Sequence, residues 1–104
     1  MAEELYTLVR SDALFRMPSL HLAEAQIAGG GRAYVYDLTW SAPGAGGILG
    51  ACHGLDLPLL FGNSGTSISP LLLGPTPPPE ADALGRSFRA AWTAFATTGD
   101  PGWP

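Results

Sequence analysis

Apolar and polar positions along this chain of 104 residues follow two different periods. Residues 2–9 (AEELYTLV) have acidic side chains where a first helical turn would be, which suits the positive end of the helix dipole. Residues 12–28 (DALFRMPSLHLAEAQIA) place Leu14, Leu20, Ala23 and Ile27 near one helical face, so they predict a second helix with Ser11 or Asp12 as its N-cap. Pro18 lies inside that segment and should kink the helix or restart it there. Gly29-Gly30-Gly31 should end it. The period then changes. In residues 32–40 (RAYVYDLTW), Tyr34, Tyr36, Leu38 and Trp40 alternate with Ala33, Val35, Asp37 and Thr39, and the residue types favour a strand. A strand needs a ladder partner. Leu71–Leu73 is too short to supply one.

Residues 41–54 read as a Gly/Ala/Pro loop ending in Gly50-Ala51-Cys52-His53-Gly54, followed by an apolar run, Leu55–Phe61, interrupted by Pro58. Residues 62–79 are linker-like and close with three prolines. A last helix over about 80–98 puts Leu84, Phe88, Ala91, Trp92 and Phe95 on one stripe, with Thr76 as a candidate cap, a proline in the opening position and Gly99 as the stop.

Composition sharpens this picture. The length allows one domain at most. Charged residues are only 13% and hydrophobic residues 46%, with 14 Gly and 10 Pro, so the chain reads as loop-rich with apolar surfaces that something else should cover. A net charge of −4 with no lysine gives no basic patch for phosphates, which argues against a nucleic-acid partner. No run reaches the 18 or so apolar residues of a membrane span. The single Cys52 excludes an internal disulfide.

Several residues could carry chemistry. Gly62-Asn63-Ser64-Gly65-Thr66 falls one residue short of the G-x-S-x-G spacing that a serine nucleophile needs, and Ser64 fits a turn better. Gly50-Ala51-Cys52-His53-Gly54 has that spacing with cysteine, but a Gly-rich loop precedes it and Pro58 argues against the helix that should follow. A packing cysteine is the better reading. His21/Glu24 and His53/Asp56 have helical spacing with no third ligand nearby, which is too few for a metal site. His53 has two readings. It is either a structural histidine or a general acid–base group, because imidazole changes charge near neutral pH and flanking glycines let the backbone approach other elements closely.

The order of several segments resembles the C-terminal third of the type-B carboxylesterases. These are Ser11-Asp12-x-x-Phe15-Arg16-x-Pro18, Leu22-Ala23-Glu24-Ala25-Gln26, Tyr34-Val35-Tyr36-Asp37-Leu38-Thr39-Trp40, the stretch from Gly50 through His53 to Gly62, and Trp92-x-x-Phe95-Ala96 through Pro104. The resemblance implies the C-terminal part of an α/β-hydrolase fold, mostly helices with one sheet-edge strand at about 32–40, forming one incomplete piece over residues 1–104. It assigns the triad histidine to His53 and a supporting carboxylate to Asp56, where the family usually has Glu. It also implies ester hydrolysis through an acyl-enzyme, a small-molecule ester substrate, and no metal or organic cofactor. The serine, the acid and the oxyanion hole would come from a preceding part of the same fold. An interaction module derived from an esterase tail is the alternative, motivated by the strand and the apolar stripe of the last helix.

Overall fold

The protein is described by a computed structural model covering residues 1–63 and 68–104. Two compact units divide the chain, residues 1–36 and 37–104.

The first unit is dominated by helix. Helix α1 spans Ala2–Ser11, a single π-helical turn spans Asp12–Arg16, and helix α2 spans Met17–Ala28. The N-cap expected at Ser11 or Asp12 does not form. Both residues keep right-handed helical angles and the chain runs straight through them. The wide turn is what Pro18 requires. A proline in a regular helix removes one amide donor and clashes with the carbonyl four residues back. Here the Met17 amide reaches back to the Asp12 carbonyl, and Pro18 falls in the opening turn of α2. Glu3 and Glu4 sit in the first turn of α1, and Arg10 in its last. Arg10 donates to the Tyr6 hydroxyl at 3.2 Å and lies over the Tyr6 ring, and Arg16 pairs with Asp12 at 3.1 Å. Gly29 and Gly30 end α2 as expected, with Gly30 at φ +86°.

The second unit builds a small core. The 3₁₀ turn Gly44–Gly47 packs on helix α4 (Ser69–Leu73), and helix α3 (Asp56–Phe61) packs on helix α5 (Pro79–Thr98). Ala42, Leu55, Leu59, Leu72, Leu73 and Ala81 are almost wholly buried, with Leu38, Trp40, Cys52 and Leu84 packed around them. Gly85 permits the close approach of α3 and α5: a Cβ there would stand 3.0 Å from the Leu59 carbonyl oxygen. Arg89 crosses the same contact and donates to that oxygen at 2.8 Å, closing one orphan carbonyl of α3. The Ser69 hydroxyl is buried and donates to the Asn63 carbonyl.

Three further expectations are corrected. No strand or sheet forms among the described residues, so the α/β architecture with a sheet-edge strand at 32–40 is not what this chain adopts. Strand formation depends on a partner, and Leu71–Leu73, the weaker candidate, lies inside α4. Part of the period survives without a ladder: Leu38 and Trp40 turn to the core while Asp37 and Thr39 are exposed. Pro58 does not prevent a helix after His53. It is the third residue of α3, where the amide it lacks would have had no intrahelical partner. Thr76 does not cap α5. The cap residue is Pro78 and Pro79 opens the helix, so the expected proline is in place and the expected threonine is not. Gly99 ends α5 in the left-handed conformation, as expected.

Candidate functional site

The segment 50–56 is a pair of tight turns entering a helix. The Leu55 amide donates to the Cys52 carbonyl at 3.3 Å and the Leu57 amide donates to the Gly54 carbonyl at 3.2 Å. Gly54 sits at φ +81° with open space where a Cβ would be, so backbone conformation, not crowding, demands glycine there. Leu55 is 1% exposed and anchors the turn in the core. Cys52 is half-buried on the near side of that core. His53 lies between these two anchors and is exposed. The sequence places an imidazole in solvent by fixing the residues on both sides of it.

Among the described residues, His53 makes no hydrogen bond or ion pair. Asp56 is half-buried as the first residue of α3, where a carboxylate suits the helix dipole. The two expected site residues thus share one turn and one helix start, without a bond between them. The packing role expected of Cys52 is what the core shows. Ser64 lies outside the described residues.

The other titratable residues do not converge here. His21 and Glu24 are exposed on α2. Among the described residues no three His, Cys, Asp or Glu side chains come together, and no helix is long and apolar enough to cross a membrane. The concavities among the described residues include two. An open groove of about 630 Å³ within residues 1–36 runs along α2 beside Tyr34 and Tyr36. A cleft of about 90 Å³ lies between α3 and α5 and is lined by Leu59, Ala81, Gly85 and Arg89. Neither includes His53.

Sequence reasoning read residues 41–54 as a loop but missed the two apolar side chains it exposes before the histidine. The Ala42 amide donates to the Gly50 carbonyl at 2.9 Å, closing residues 43–49 into a projecting loop that carries Ile48 and Leu49. Two consecutive large apolar residues inside a glycine run were the available signal.

No protein-family model matches the chain. Over 58 residues, 53% of its length, it is 43% identical to the probable N-octanoylanthranilate hydrolase AqdA2 of Rhodococcus erythropolis. The chain matches 13% of that relative, so what is similar is about half of this chain and about one eighth of a named hydrolase.

Proposed function

We propose that this chain is the histidine-bearing part of a serine carboxylic-ester hydrolase of the type-B carboxylesterase kind, acting through an acyl-enzyme. The partial identity to a named hydrolase, whose named substrate is an N-acyl amide, carries the hydrolytic part of this reading, and the resemblance at residues 50–62 supplies the ester class. The exposed imidazole of His53 between two core anchors, unbonded among the described residues, is compatible with it. The relative's name adds an acyl class, because its substrate bears an octanoyl group.

In this reading a serine from the rest of the parent fold attacks the acyl carbonyl. His53 takes the serine proton and hands it to the departing group. It then takes a proton from water, and the hydroxide so formed attacks the acyl-enzyme carbonyl. The proton finally returns to the serine oxygen as the acid is released. A carboxylate from the rest of the parent orients the imidazole. Asp56, one turn further on, supports the loop through the start of α3.

The test is a chimera in which this chain replaces the matching region of the Rhodococcus hydrolase. It should turn over a 4-nitrophenyl ester, and His53→Ala should lower kcat by roughly 10³-fold or more. The 104 residues alone should show no turnover above their own His53→Ala control. A chimera that keeps its full activity after His53→Ala would remove the proposal.

A second reading, an interaction module without catalysis, loses half its motive because residues 32–40 form no strand. It keeps the other half: Trp92 and Phe95 on α5 are each nearly half exposed. A chain that self-associates in light scattering, and whose chimera is inactive both with His53 and after His53→Ala, would favour it.

A further inference from the structure

We infer that Ile48, with Leu49 beside it, is the contact for the apolar acyl chain of the substrate on which His53 acts. This inference rests on the catalytic reading above and adds to it where the acyl chain goes.

Ile48 is 84% exposed, more than any other large apolar side chain among the described residues except the terminal Met1. Leu49 is 38% exposed. Their loop is clamped at several points. Ala42 at its base is fully buried, and the Ala42 amide is bonded to the Gly50 carbonyl. Gly44 is buried directly against the Leu71 carbonyl of α4, so closely that a Cβ would overlap it. Ala45 holds φ +51°, ψ +35°, a conformation that residues with a Cβ avoid and that persists only where the surroundings impose it. The loop therefore presents two aliphatic side chains to solvent in a determined geometry.

The same backbone leads directly to His53. The Gly50 amide bonds back to the Gly47 carbonyl at 3.4 Å, and the Leu55 amide bonds back to the Cys52 carbonyl at 3.3 Å. Ile48 and His53 are five residues apart, at most about 18 Å even if fully extended, and both stretches are turned. A substrate whose carbonyl lies at the imidazole can direct an aliphatic chain along this path. Burying such a chain against Ile48 removes apolar surface from water on both partners, which short acyl groups cannot do. The ligand class is thus a medium-chain aliphatic acyl compound.

The test compares 4-nitrophenyl octanoate with 4-nitrophenyl acetate in the chimera. Ile48→Ala should lower the octanoate-to-acetate ratio of kcat/KM by roughly tenfold, as expected for a lost hydrophobic contact. Should His53→Ala abolish turnover while Ile48→Ala leaves the ratio unchanged, the acyl contact is wrong and the histidine assignment stands. Turnover that survives His53→Ala sinks the underlying reading instead. A binding measurement covers an inactive chimera. In the 104-residue chain with labelled methyl groups, octanoate below its micelle concentration should shift the Ile48 and Leu49 methyl signals saturably, and acetate at the same concentration should not. Absence of an octanoate shift, or equal shifts from both anions, overturns the inference.

Discussion

Residues 1–36 and 37–104 use similar ingredients and reach opposite outcomes. The first unit holds Leu5, Leu8, Val9, Phe15, Leu22 and Ile27 on one helical run from Ala2 to Ala28, and each is more than half exposed. No residue in that unit is buried. The second unit spends its apolar residues on a core, with Leu55, Leu59, Leu72 and Leu73 at 3% exposure or less. The difference lies in tertiary partners rather than in helix propensity. Turns at 44–47 and 52–55 bring α3, α4 and α5 together within the second unit, whereas α1 and α2 form one continuous rod that does not fold back on itself. A helical run with that many exposed apolar side chains is one that other protein ordinarily covers. A single helix gains little stability in water without such cover.

The largest effect that can break this comparison is a matched pair of core and rod substitutions. Leu59→Ala should destabilise the second unit by about 3 kcal/mol, the lost transfer energy plus the cavity left between α3 and α5. Leu22→Ala, at a side chain 74% exposed, should change stability by less than about 0.5 kcal/mol. Denaturant titration measures both, followed by tryptophan fluorescence for the core, on which Trp40 packs, and by circular dichroism for the helical run. Equal costs would mean that the rod is covered in solution.

The contrast also shows what was legible in the sequence. The ends of α5 were readable because Pro79 and Gly99 act locally, through one missing amide and one left-handed residue. The turn that presents His53 was readable from Gly54 for the same reason. Non-local features were not. The alternation at 32–40 specifies two faces but not a neighbour, so it predicted a strand that has nothing to pair with. Helix α3 was obscured because the cost of a proline depends on its position in a helix, and Pro58 occupies a harmless one. Helix α4 was hidden in a segment read as linker, although Pro70 stands in its opening turn. At the candidate site, the residue types pointed to His53 and Asp56. The exposure of His53, the half-burial of Asp56 and the exposed Ile48 in the preceding loop came only from the fold.

A smaller effect sharpens the comparison at the α3–α5 contact. Arg89→Met keeps much of the apolar stem but removes the guanidinium that donates to the Leu59 carbonyl at 2.8 Å. That carbonyl, at the end of a six-residue helix, then has no such donor. The expected cost is about 1–2 kcal/mol, the range for leaving a part-buried acceptor unsatisfied. The exposed Arg86, paired with Asp82 on the same helix, supplies the control. Arg86→Met should cost well under about 1 kcal/mol, because a solvent-exposed pair at helical spacing contributes little. If the two substitutions cost the same, α3 is not held by Arg89 and the core rests on apolar packing alone.

The smallest expected effect has the opposite sign. Ala45 lies at φ +51° in the loop that carries Ile48, and the left-handed region costs an alanine about 1–2 kcal/mol. Ala45→Gly removes that cost but frees the unfolded chain, which returns roughly 0.4–1 kcal/mol. The net expectation is a stabilisation of about 0.5 kcal/mol, read as a small rise in the denaturation midpoint at constant slope. The same exchange in the rod, Ala25→Gly, removes a good helix former from an exposed position in α2. It should lower helix content by circular dichroism without moving the core transition. One substitution type would then stabilise one unit and fray the other. A destabilised Ala45→Gly variant would show instead that the loop is set by its alanine side chain. The clamps at Ala42 and Gly44 would then be insufficient to fix the position of Ile48.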